Sequence, residues 1–190
     1  MNKAIFMDRD GTLSHEVGYV NHISRFRLYS FTPEAIRLIN KSEYLAICVT
    51  NQAGVARGYF EESLVKEVHR KMQEDLKKEG AYLDDIFYCP HHPTANGNPE
   101  FTIDCNCRKP KPGMLLEAAE KYNIDLTKSF VIGDKISDVK LAKNVGAKGI
   151  MVLTGYGRGE YEYQRKDWDI EPDYIAENVL EAVKWITQNF

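Results

Sequence analysis

The chain has 190 residues, 43% hydrophobic and 28% charged, with a formal net charge of -3. That length suffices for one domain, residues 1–190, with a substantial core. The charge argues against a broad footprint on nucleic acid, and no basic cluster with interleaved aromatics is present. No apolar run is long enough to span a bilayer, and Met1-Asn2-Lys3 runs straight into the first strand. The expectation is therefore a cytoplasmic protein without a membrane partner and, lacking an obvious apolar patch, a monomer.

The first apolar run, Ala4–Met7, reads as a buried strand ending on Asp8-Arg9-Asp10-Gly11-Thr12. Two carboxylates two positions apart repel, and a desolvated pair needs a cation or a shared proton. A divalent metal supplies that relief, and a metal-neutralised carboxylate facing solvent is suited to attack a phosphate. Asp8 is the candidate nucleophile. On an extended chain Asp10 shares its side and Arg9 points the other way. Asp10 is then placed to protonate a leaving oxygen and later to activate water.

A helical pattern at Pro33–Lys41 leads to a second strand, Leu45–Val49, ending on Thr50-Asn51, whose hydroxyl and amide suit phosphoryl oxygens. Cys48 lies inside this run as a small buried hydrophobe. A long helical pattern, Glu61–Glu79, precedes a third strand at Ile86–Tyr88. Cys89, Cys105 and Cys107 gather beyond it and require an account other than packing. Lys109 sits in Arg108-Lys109-Pro110-Lys111-Pro112, where the prolines favour a rigid path that holds a lysine head group in place. A helix at Pro112–Tyr122 is followed by a strand, Phe130–Ile132, ending on Gly133-Asp134. Asp134 is expected to complete a magnesium site with Asp8 and Asp10, supported by Asp138 one helical turn on. A helix at Ser137–Asn144 stops at Gly146, and a strand follows at Gly149–Leu153. Tyr156–Trp168 reads as a surface loop without an assigned role. A last helix is expected at Ala176–Asn189. The alternation implies an α/β fold, a parallel sheet with helices on both faces, whose ligands bind beyond the carboxyl ends of the strands.

Asp8–Thr12, Thr50, Lys109 and Gly133-Asp134 with Asp138 together resemble the haloacid dehalogenase-like phosphatase superfamily. The resemblance implies a Rossmann-like doubly wound core, Mg²⁺ dependence and an aspartyl-phosphate intermediate. Asp10 favours phosphate over carbon–halogen chemistry, because a departing halide has little use for an acid. Cys89-Pro90-His91-His92-Pro93 and Cys105-Asn106-Cys107-Arg108-Lys109-Pro110 resemble the zinc-bearing subgroup, which holds heptose-1,7-bisphosphate 7-phosphatases and histidinol-phosphate phosphatases. It implies structural Zn²⁺ on Cys89, His91, Cys105 and Cys107, with His92 an alternative to His91, stapling the loop that ends at Lys109.

Thr50–Gly58, Gly18-Tyr19-Val20 and Lys135 look like the heptose-bisphosphatase branch, while Glu16-Val17 departs from its usual Asp-His. That likeness makes Lys109 the phosphoryl stabiliser and Arg108 a recognition residue. It also implicates Glu16, Val17, Gly18, Tyr19, Thr50, Asn51, Gln52, Ala53 and Lys135 in substrate contacts. Arg57, Arg108 and Lys135 are candidate partners for a second, non-reacting phosphate. The Thr12–Thr50 interval already contains a helix and a strand and leaves no room for a large cap domain. The activity implied is hydrolysis of the 7-phosphate of D-glycero-D-manno-heptose 1,7-bisphosphate, supplying nucleotide-activated heptose for bacterial surface glycans. The alternatives are histidinol-phosphate hydrolysis and a non-catalytic module that binds phosphorylated ligands.

Overall fold

The computed structural model describes residues 1–190. Six strands, β1 (Lys3–Met7), β2 (Tyr44–Asn51), β3 (Asp85–Cys89), β4 (Phe130–Gly133), β5 (Lys148–Val152) and β6 (Tyr174–Ala176), form one sheet in the order β3-β2-β1-β4-β5-β6. Every pairing is parallel, with Ile5 opposite Ala46 on one side and Phe130 on the other. Five helices pack on it: α1 (Thr32–Asn40), α2 (Glu62–Lys78), α3 (Gly113–Tyr122), α4 (Ile136–Asn144) and α5 (Val179–Asn189).

Strand alternation decides which helix meets which face. Ile5 and Met7 join Ile36 and Ile39 of α1, Met72 and Leu76 of α2, and Val183 and Ile186 of α5 in one core cluster. Ala4 and Phe6 join Met114 and Leu115 of α3 and Leu141 of α4 in the other. With both faces covered, the strands can be almost wholly apolar, and each fully buried Ile or Leu contributes about 1.5–3 kcal/mol. The chain leaves β1 toward β2 on one side, while β4 continues from its other side. This change of direction opens a crevice at the carboxyl ends of β1 and β4. Between β1 and β2 the regular elements are α1 and a 3₁₀ turn at Ile23–Arg25, so no large cap stands over it.

Two segments differ from the sequence reading. The final helix does not begin at Ala176. Tyr174–Ala176 pairs with Ile150–Val152 as an edge strand, and the helix starts only after Asn178, whose side chain accepts from the Glu181 N–H. Residues 156–168 are not an irregular loop either. They form consecutive helical turns (Gly157–Gly159, Glu160–Gln164 and Arg165–Asp167), pinned where the Ile136 N–H donates to Glu160 at 2.8 Å.

Candidate active site

Asp8 is the first residue beyond β1. Its N–H still bonds Ile132 of β4 at 2.9 Å, so the sheet itself fixes its position. Asp8 Oδ1 accepts from the Arg9 N–H at 2.7 Å and lies 2.9 Å from Lys109 Nζ. Lys109 Nζ is also 2.7 Å from Asp138 Oδ1 and donates to the Val49 carbonyl at 3.1 Å. Burial pulls this ammonium down, but Asp138 and Asp8 outweigh it and hold Lys109 above its ordinary range. The lysine backbone is clamped from β2: its N–H donates to Asn51 Oδ1 at 3.0 Å, and Asn51 Nδ2 donates to its carbonyl at 3.3 Å.

Carboxylate oxygens of Asp8, Asp134 and Asp138 all lie within 4.8 Å of one another. Asp134 is fully buried; its Oδ2 accepts from the Tyr156 N–H at 2.8 Å and its Oδ1 has no partner. Burial, then the charges of Asp8 and Asp138, push the Asp134 carboxyl up to about 8. Gly11 (φ 86°) and Gly155 (φ 56°) flank it, and a Cβ at either would collide with its carboxylate. An oxygen-only donor set, an orphaned buried oxygen and three acids facing one ammonium fit a hard divalent cation.

Asp10 departs from expectation. Its carboxylate is not in this group, and Arg9 does not point away from it. The chain turns at Arg9–Gly11 instead of staying extended, so the neighbouring guanidinium folds back: Arg9 Nε reaches Asp10 Oδ1 at 3.1 Å and Nη2 reaches Oδ2 at 2.8 Å. Gln52 Nε2 (2.9 Å) and Ser14 Oγ (3.3 Å) also donate to it. Burial raises the Asp10 carboxyl, but Arg9 and these donors prevail and hold it below the usual range. Gln52 donates to Thr50 Oγ1 as well, at 2.9 Å, and so links Asp10 to Thr50.

Apart from the buried Asp134, Arg9 and Ser14, these side chains open onto a cleft of about 410 Å³. Of the expected residues, Asp8, Asp10, Glu16, Gly18, Tyr19, Thr50, Asn51, Gln52, Ala53, Arg108, Lys109, Lys135 and Asp138 line it. Val17 does not; it packs against the core. Neither does Arg57, whose Nη2 is 3.1 Å from His92 Nε2. Ser137 and Tyr156 line the cleft without having been expected. The rule that placed the other residues, ligands beyond strand carboxyl ends, also covers Thr154-Gly155-Tyr156 after β5. Tyr156 carries Lys135 Nζ 4.3 Å above its ring centroid.

Beside the cleft, Cys89 Sγ and Cys105 Sγ are 3.5 Å apart, Cys105 and Cys107 3.2 Å, and His91 Nδ1 lies 3.3 Å from Cys107 and 3.8 Å from Cys89. A tetrahedron with metal–sulfur bonds of about 2.3 Å has edges of about 3.8 Å, so the donor set fits a structural zinc. His92 stands outside it, engaged with Arg57. The loop is fastened to its surroundings: the Asn98 N–H donates to Ala56 at 2.8 Å, and Arg108 Nη1 to the His91 carbonyl at 3.3 Å.

Residues 106–182 match the model of the HAD-hydrolase-like family. The chain is 41% identical over 187 residues to D-glycero-beta-D-manno-heptose-1,7-bisphosphate 7-phosphatase of Pasteurella multocida, covering 98% of this chain and 97% of that protein. It is 42% identical to the protein of the same name from Escherichia coli K12, with 80% of each covered. Its fold is similar to the crystal structure of D,D-heptose 1,7-bisphosphate phosphatase from B. bronchiseptica complexed with magnesium and phosphate. The TM-score is 0.86, the identity 28%, and 99% of each chain is covered.

Proposed function

The chain belongs to the haloacid dehalogenase-like hydrolases, in the family of D-glycero-D-manno-heptose-1,7-bisphosphate 7-phosphatases, and from that premise we propose that it is a Mg²⁺-dependent phosphatase removing the 7-phosphate of D-glycero-D-manno-heptose 1,7-bisphosphate. The observation that carries the reading is Asp8 at the cleft wall, paired with Lys109 and grouped with Asp134 and Asp138.

Asp8 attacks phosphorus. The bond to the sugar oxygen breaks, and an aspartyl-phosphate forms. Asp10 donates the proton that the departing sugar oxygen needs, then takes one from the water that hydrolyses the intermediate. Ionised at rest, Asp10 is pushed toward its protonated form when a phosphate anion settles beside it. Lys109 and the Thr50 hydroxyl face the equatorial oxygens and stabilise their charge. Mg²⁺, held by Asp8 and Asp134 with Asp138 in support, would neutralise charge on the phosphoryl oxygens. Zn²⁺ on Cys89, His91, Cys105 and Cys107 would be structural, its shell closed by four protein ligands. Arg108 and Lys135 are cations at the cleft for the second phosphate, with Glu16, Gly18, Tyr19, Asn51, Gln52 and Ala53 around the sugar. We take residues 1–190 as one catalytic domain acting in nucleotide-activated heptose biosynthesis.

No helix is long and apolar enough to cross a membrane. A cytoplasmic location and a monomeric state are part of the same reading, the monomer supported by exposed apolar side chains such as Tyr82, Ile103, Leu116 and Phe190 lying on different segments. Light scattering on the eluted protein tests the monomer.

The test of function is phosphate release, with Mg²⁺, from the 1,7-bisphosphate, from heptose monophosphates and from histidinol phosphate. A preference for the bisphosphate supports the reading. A preference for histidinol phosphate replaces it, and no release from any substrate would favour a binding module.

A further inference from the structure

Arg9 is the middle residue of the Asp8-Arg9-Asp10 motif, yet its guanidinium is only 1% exposed and does not line the cleft. A cation so deeply buried must find acceptors for its donors. Nε and Nη2 are taken by Asp10. Nη1 lies 3.1 Å from Nε2 of His69, on α2. A guanidinium only donates, so His69 Nε2 accepts and the ring is neutral with its proton on Nδ1. Burial, and secondarily the charge of Arg9, hold His69 at about 3, so it remains an acceptor at neutral pH. The imidazole is itself fixed. It packs edge-on to Tyr88 with centroids 5.3 Å apart, and the Tyr88 hydroxyl donates to Glu62 at 2.7 Å. The guanidinium is thus held on one edge by Asp10, on another by His69, and lies 5.9 Å from the Phe26 ring centre.

We propose that His69 is a positioning residue for the phosphatase reaction: by accepting from Arg9 Nη1 it sets the guanidinium plane, and that plane aims the Asp10 carboxyl at the leaving oxygen. Without this acceptor the fork could rotate about its contact with Asp10, and a displacement near 1 Å at a proton donor costs up to about 10²-fold in rate. The proposal rests on Asp10 being the proton donor.

The test uses single-turnover cleavage of two substrates. Cleavage of heptose 1,7-bisphosphate expels the sugar oxygen of heptose 1-phosphate as an alkoxide that needs a proton, whereas p-nitrophenyl phosphate expels p-nitrophenolate, which does not. His69→Leu should slow the sugar substrate about tenfold, leave p-nitrophenolate release within about twofold, and leave the half-saturating concentration within about twofold. His69→Gln, which restores an acceptor, should recover to within about threefold of the unmodified enzyme. Should His69→Leu not fold, His69→Asn, polar but too short to reach Nη1, takes its place with the same expected split. Equal slowing of both substrates, no slowing of either, or failure of His69→Gln to recover overturns the proposal. Asp10→Asn isolates the underlying reading: it should lose the sugar substrate by at least about 10²-fold while retaining p-nitrophenolate release. If Asp10→Asn shows no such split, the proton-donor role falls and the His69 proposal with it. If Asp10→Asn shows the split and the His69 variants do not, His69 falls alone.

Discussion

Asp134 has a buried oxygen without a protein partner and two carboxylates for neighbours. Burial first, then Asp8 and Asp138, lift its carboxyl to about 8 from an ordinary 3.8. The folded chain therefore binds this proton more tightly than the unfolded one. The stability Asp134 contributes is fully present below about 3.8 and is lost as pH rises through about 8. A cation that binds the ionised form reverses the loss. Metal-free protein should accordingly melt lower at pH 8 than at pH 5, and the gain from excess Mg²⁺ should grow across that range. Equal gains at both ends would remove Asp134 from the metal site. Gly155→Ala tests the cradle instead: a Cβ there meets the Asp134 carboxylate, and φ 56° strains any side chain. Calorimetric titration should show Mg²⁺ affinity reduced at least about tenfold. Asp8→Asn removes the nucleophile, so phosphate release should fall by at least about 10³-fold while the circular-dichroism spectrum is kept. Unchanged hydrolysis in that variant would sink the assignment.

Among the elements, the segment from Cys89 to Cys107 ties several parts of the site together. It presents four soft donors, anchors Arg108, meets the Ala56–Gly58 turn, and delivers Lys109 two residues after its last cysteine. Cys105→Ser should drop zinc from one per chain to near zero by elemental analysis. It should also speed proteolysis between residues 92 and 104 and lower kcat/KM, because Lys109 loses its fixed approach. Retained zinc with unchanged proteolysis would show that the cluster is not a metal site. The same element shows what could be read from sequence. Its cysteine spacing and the cation-proline run were visible as patterns, as were β1, β2 and β4, whose aliphatic runs are buried on both faces. Tyr174–Ala176 was not, because a three-residue edge strand carries too little periodicity to separate from the helix behind it. The helical turns at 157–167 lack an aliphatic stripe. Their place comes from a contact with Ile136 that lies far away in the chain. Asp10 shares the cleft with Asp8, as expected, but its carboxylate stands outside the three-acid group and against Arg9, because period-two reasoning holds only while the strand continues, and it ends at Met7.

At the scale of the whole molecule, charge governs which substrate can enter. The protein is acidic overall, and its cleft is lined by four carboxylates, Asp8, Asp10, Glu16 and Asp138, against three cations, Arg108, Lys109 and Lys135. Lys109 is already committed to Asp8 and Asp138. A doubly phosphorylated sugar thus meets a field that favours it only after a divalent cation offsets the acids, whose charges also bear on Lys135. Both cations are held by neighbours, Arg108 on the His91 carbonyl and Lys135 over Tyr156, so as the proposed partners of the second phosphate they would need little further ordering. This arrangement favours a bisphosphate over histidinol phosphate, whose cationic end would approach the same two groups. Arg108→Ala should lower kcat/KM for the 1,7-bisphosphate by about 10²-fold, since a charge-assisted bidentate contact is lost, yet change the value for a 7-monophosphate by less than about threefold. The ratio of the two specificity constants is the quantity to measure. If it is the same in the variant and the unmodified protein, the second phosphate lies elsewhere in the cleft and Arg108 has no part in choosing the substrate.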